Sequence, residues 1–89
     1  MSLENFKNLE EMTIKKIDIK GHVCPMTFVY TKLALEELNK GDILEVELNF
    51  HPAVKNVPKN CERQSLAKLI EVRKINTHEE IYELVLEKL

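Results

Sequence analysis

An α+β domain with the element order βαβαββ is predicted by three features of the sequence. Leu44, Val46, Leu48 and Phe50 alternate with Glu45, Glu47 and Asn49, the period of a strand with one buried face and one wet face. A run with helical spacing starts at Pro25 and stops at Lys40-Gly41, where glycine tolerates the left-handed conformation that closes a helix. The apolar segments Leu69 to Ile75 and Ile81 to Leu89 are joined by a short link, which favours an antiparallel hairpin.

Residues 1–13 place Leu3, Phe6, Leu9 and Met12 three apart with Asn and Glu between them, which reads as an amphipathic helix or a docked arm ahead of a domain at 14–89. From Lys16, Ile17 and Ile19 alternate with Asp18 and Lys20, giving a short half-buried strand that Gly21 ends. The helix from Pro25 to about Asn39 carries Phe28, Thr31, Leu35 and Leu38 on one face with Ala34 beside them, and this is the expected core stripe. Met26, Val29, Tyr30 and Leu33 form a second apolar group, more than one sheet contact covers, and it is assigned to the arm or to a partner.

The strand from Ile43 to Phe50 is broken by His51-Pro52. Val54, Val57 and Cys61 then share a helical stripe, but in a continuous helix Pro58 would lack a donor and clash with the carbonyl of Val54. A short turn is therefore expected first, with the main second helix starting near Pro58 and ending by Leu66. Ile70 and Val72 alternate with Glu71 and Arg73 in the third strand, and Asn76-Thr77-His78 is the turn after it. Periodicity fits the last segment to a helix or a strand equally; the short link favours the strand.

Eighty-nine residues, 44% apolar and 31% charged, suit one soluble domain. No apolar run approaches the ~20 residues of a membrane helix, so no membrane association is expected. A net charge of −2 gives no general basic field, which argues against nucleic acid as a partner. The start of the chain lacks the pattern of a secretory signal, and the cytoplasm is the expected compartment. Two cysteines with 36 residues between them form neither a close redox pair nor a disulfide framework, and in a reducing compartment they read as free thiols. His22, Cys24, His51 and Cys61 match no metal-ligand spacing beyond His-x-Cys, so no metal and no other cofactor is expected.

The chemistry-bearing stretch is Asp18-Ile19-Lys20-Gly21-His22-Val23-Cys24-Pro25, where the first strand gives way to the first helix. Pro25 suits the first helical position, because its missing N–H would have no intrahelical partner there. Cys24 then stands at the cap, where free backbone N–H groups and the positive end of the helix dipole favour a thiolate. Helix two places Cys61 on its apolar stripe, where a small buried side chain is the expected role.

With these elements in place, Ile17 to Leu89 resembles the TusA-like (SirA-like) family of small sulfur-carrier proteins. The family's Asp-x-Arg-Gly and Cys-Pro-x-Pro read here as Asp18-Ile19-Lys20-Gly21 and Cys24-Pro25-Met26-Thr27. Lys32, Leu35, Leu38 and Gly41-Asp42 follow at the family's spacing, then Leu44-Glu45-Val46, Pro52, and Val57-Pro58 in place of Ile-Pro. The resemblance implies a two-layer sandwich, with two helices on one face of a four-stranded mixed sheet. It also implies persulfide sulfur carried on Cys24 between a protein donor, of the cysteine desulfurase or rhodanese type, and a protein acceptor.

The chain departs from the family pattern at Thr27 for proline, Lys20 for arginine, and His51 for the aspartate before Pro52. A proline lost at Thr27 frees a backbone N–H and adds a hydroxyl that could bond the sulfur. Pro25 orients Cys24, His22 and Lys20 are candidate charges beside it, and Met26, Val29 and Tyr30 form the candidate docking face. The competing reading is a non-catalytic regulatory or interaction domain that keeps the fold. RNA binding rests on fold analogy alone, and the acidic balance opposes it.

Overall fold

A computed structural model of the protein describes residues 13–76 and 78–89. Its elements follow the expected order: β1 (Ile14–Asp18), α1 (Met26–Glu36), β2 (Ile43–Leu48), α2 (His51–Arg63), β3 (Ala67–Asn76) and β4 (Ile81–Lys88). The amphipathic segment from Leu3 to Met12 and the turn residue Thr77 lie outside the described residues. Among those described, no helix is long and apolar enough to cross a membrane.

The sheet order is β1-β2-β4-β3, with β1 parallel to β2 and the other two pairings antiparallel, so the sheet is mixed. Opposite residues in each register share a face, and the apolar ones share one: Ile17 with Val46, Val46 with Leu84, and Leu44 with Leu86. Both helices close that face. The expected stripe is buried, with Thr31, Ala34 and Leu35 on α1 and Leu38 just past its end, and Phe28 packs partly against it. From α2, Ala53, Val57 and Cys61 are fully buried at a spacing of four.

The start of α2 corrects the sequence reading. The helix runs unbroken from His51 with Pro52 in its first turn and Pro58 inside it, rather than starting near Pro58. An interior proline costs a helix about 3 kcal/mol. Burying Ala53, Val57 and Cys61 as one continuous stripe, each side chain contributing on the order of 1–3 kcal/mol, outweighs that cost. Pro58 is itself buried, so its ring joins the packing.

The helix ends at Arg63, inside the bound of Leu66 expected for it. Leu66 N–H bonds the Cys61 carbonyl at 2.8 Å, Ser65 N–H bonds Glu62 at 3.1 Å, and Ser65 takes φ +57°. This is a Schellman closure with serine where glycine is usual.

The other face of the sheet is charged. Arg73 on β3 bonds Glu83 on β4 at 2.9 Å and approaches Glu45 on β2 at 3.7 Å, while Lys16 on β1 reaches Glu83 at 3.4 Å. The buried Glu83 thus receives a cation from each side, which satisfies a carboxylate that would otherwise be costly to enclose.

Candidate functional site

The loop between β1 and α1 is pinned at its strand end. Ile19 N–H continues the parallel pairing to Glu47 at 2.8 Å and buries its side chain. Gly21 takes φ +92°, a left-handed conformation open to glycine at no steric cost, and donates its N–H to the Asn49 side chain at 2.9 Å. His22 N–H then turns back to the Ile19 carbonyl at 3.2 Å.

Helix α1 begins one residue later than expected. Met26 is the first helical residue, Pro25 is the cap with φ −90° and ψ 4°, and Cys24 precedes it, joined to Pro25 by a cis bond. Two backbone bonds bracket the pair: Thr27 N–H to Val23 at 3.1 Å and Val29 N–H to Pro25 at 3.1 Å. The N–H freed where the family pattern has proline is therefore used to close the turn over Cys24.

Cys24 is half-buried, and both cysteines are free thiols. Its Sγ lies 3.4 Å from the Thr27 hydroxyl, either atom able to donate. The Thr27 side chain is fully buried, and among the described residues the sulfur is its one hydrogen-bond partner. From the other side, Asn56 Nδ2 on α2 stands 4.0 Å from Sγ. Asn56 was not singled out by the sequence, and an exposed asparagine on a helix leaves no signal there; only the packing of α2 beside α1 brings it to the sulfur.

The remaining sequence candidates sit around this point at different removes. His22 is exposed and packs tilted against Tyr30, ring centres 4.8 Å apart and planes at 57°, in a cleft of about 380 Å³ that Ile17, Asp18 and Ile19 complete. Lys20 is paired with carboxylates, bonding Asp18 at 2.8 Å and Glu47 at 2.9 Å, contacts that hold its ammonium above the usual lysine range. Met26, Val29 and Tyr30 are exposed in the first turns of α1 after Cys24, as are Val23 just before it and Leu33 further along the helix. A second cleft, about 350 Å³, is lined by His51, Pro52, Val54, Lys55 and Asn56 and opens on the α2 side.

Cys61 is of the opposite kind. It is fully enclosed, and burial, with a smaller contribution from the Glu62 charge, pushes its thiol up to about 11. Among the described residues, no three His, Cys, Asp or Glu side chains converge as a metal site.

A family model described as Sulfurtransferase TusA matches residues 15–88. A protein of Archaeoglobus fulgidus, named provisionally as a sulfur carrier protein, is 43% identical over 63 residues, which are 71% of this chain and 70% of that one. A provisionally named sulfur carrier of Methanocaldococcus jannaschii is 43% identical over 51 residues, 57% of this chain and 68% of its own. The crystal structure of a SirA-like protein from Desulfitobacterium hafniense superposes with a TM-score of 0.69 at 25% identity, covering 84% of this chain and 96% of that chain.

Proposed function

Because the chain belongs to the sulfurtransferase TusA family, we propose that it is a cytoplasmic sulfur carrier that holds sulfane sulfur as a persulfide on Cys24 and relays it between two proteins. One observation carries the reading. The Cys24 sulfur stands half-exposed at the head of α1 against a buried hydroxyl, Thr27 Oγ1 at 3.4 Å, that has no other hydrogen-bond partner among the described residues. A hydroxyl so enclosed has that sulfur as the acceptor within reach of its proton, an arrangement that suits a sulfur acting as a nucleophile.

Loading is a thiol exchange. The Cys24 thiolate attacks the outer sulfur of a donor persulfide, a bond forms between Sγ and that sulfur, the donor's S–S bond breaks, and the donor leaves as a thiolate. Delivery repeats the step with an acceptor thiolate attacking the outer sulfur on Cys24, so the carrier returns to its starting state with no net redox change. Neither step requires a separate base once the attacking thiol is ionised.

Donors of the cysteine desulfurase or rhodanese type supply such a persulfide. Pro25 fixes the direction in which Cys24 leaves the helix. Met26, Val29 and Tyr30 supply an apolar docking face at the same end of α1, and His22 stands at its edge, packed against Tyr30.

The test is intact-mass spectrometry after incubation with cysteine desulfurase and cysteine, and with sodium polysulfide. A gain of one sulfur that disappears in Cys24→Ser is the expected result. No gain with either donor would make the chain a binding or regulatory domain that keeps the family fold.

A further inference from the structure

We propose that the α2 cleft beside Cys24 is the seat of the outer, anionic sulfur of the loaded carrier, and that the Asn56 side-chain amide is the donor that holds it there. This rests on the persulfide reading above. The geometry separates two sulfurs. Thr27 Oγ1, buried beneath the cysteine, lies within hydrogen-bond reach of Sγ at 3.4 Å. Asn56, a residue of the cleft wall, holds its Nδ2 4.0 Å from the same atom, at the outer limit for a bond to Sγ itself.

A persulfide adds one sulfur about 2.05 Å beyond Sγ. When that sulfur leans toward α2, it enters N–H···S distance of Asn56 without movement of either helix. Thr27 then reads the inner sulfur and Asn56 the outer.

The surroundings suit that charge. Lys55 and His51 line the same cleft, and among the described residues no carboxylate lines it. The residues of α2 from His51 to Cys61 include no acid, and Glu62 is the sole acid of the helix. Lys55, Lys59 and Arg63 recur at a spacing of four along α2; among the described residues none of them joins an ion pair within 4 Å, and Arg63 donates to the Asn60 side-chain carbonyl at 2.6 Å. An anion at Asn56 therefore shares its cleft with Lys55 and His51. From α1, the charged group that reaches across to α2 is Lys32, whose ammonium donates to the Gln64 side chain at 3.4 Å.

The experiment loads the full chain with sodium polysulfide: Cys24 Sγ bonds one sulfane sulfur, a polysulfide S–S bond breaks, and the shortened polysulfide or hydrosulfide leaves. Excess reagent is removed, and the rate of alkylation of the persulfide by iodoacetamide is followed across pH by mass spectrometry. Asn56→Asp sets a carboxylate against the outer sulfur and moves the half-maximal pH of that reaction up by roughly one unit. Asn56→Ala moves it by less, and Asn56→Gln, which keeps the amide, returns toward the parent.

Thermal unfolding of the same proteins identifies any variant whose profile moves because the fold has loosened. Parent-like profiles in both Asn56→Asp and Asn56→Ala would overturn the assignment while leaving Cys24 as the carrier. A parent protein that takes up no sulfur would overturn both.

Discussion

Two cysteines in one small domain differ in chemistry because their sulfurs meet different surroundings. Cys61 is sealed among the apolar side chains of α2 and the sheet, and its thiol is pushed up to about 11 from an ordinary 9.0, whereas Cys24 is half-open to solvent. At pH 8, iodoacetamide should modify Cys24 alone in the folded protein. Cys61 should react only once urea unfolds the chain, since its raised value by itself lowers the thiolate fraction roughly a hundredfold. Modification of both in the native state, read by peptide mapping, would contradict the burial of Cys61. Thr27→Val keeps the shape of the buried side chain and removes the hydroxyl. Losing about 1 kcal/mol of bonding to the sulfur should slow alkylation of Cys24 roughly fivefold. The Thr27 contact was readable from the sequence because it is local, three residues along one turn. Asn56 was not, because the contact spans 32 residues and exists through helix packing alone.

At the scale of elements, pattern predicted type well and boundaries less well, and α2 shows why. The clash of Pro58 with the Val54 carbonyl is a local rule, and the sequence reading followed it; the fully buried line Ala53, Val57 and Cys61 is a tertiary gain that the rule does not see. The end of the same helix hides another non-local preference. Ser65 holds φ +57° to make the closing bonds, and a non-glycine residue pays for that conformation. Ser65→Gly should stabilise the domain by about 0.5–1 kcal/mol, after the extra chain freedom that glycine brings to the unfolded state is deducted. Urea unfolding measures this, and a loss of stability would mean that the Ser65 side chain contributes a contact of its own. Helix α1 leaves Met26, Val29 and Tyr30 between 37% and 39% exposed, an apolar group that the fold does not consume. Alanine at these three positions should weaken transfer to or from a protein partner, leave polysulfide loading of Cys24 intact, and change stability by no more than about 0.5 kcal/mol each. Joint loss of loading and transfer would make them fold residues instead.

Over the whole molecule, alternation along each segment gave the strands and the resemblance gave the sheet, but the charged lattice on the open face emerges only when register puts Arg73 beside Glu83 and Lys16 within reach of it. The pH dependence of stability gathers these charges and the buried thiol into one curve. Asp18 is held below its ordinary 3.8 by hydrogen bonds from Lys20, and Glu37 below 4.5 by its bond from Lys15. A lowered carboxyl contributes stability above its unfolded value and loses it as pH falls through the folded one, so both act only on the acid side, weakly because the pairs are exposed. Cys61 works in the other direction. Its raised value contributes stability fully below 9.0 and loses it between there and about 11, because the unfolded chain ionises first. Lys20 is raised above 10.5, so its pairing fades only beyond that point. Between pH 8 and pH 10, then, Cys61 is the group among these whose linkage changes. Urea denaturation should show the parent protein losing about 1 kcal/mol over that interval and Cys61→Ala losing much less, whatever the offset in stability that the smaller side chain introduces. Parallel curves for the two proteins would place the ionisation of Cys61 outside the folding equilibrium and contradict the sealed environment assigned to it.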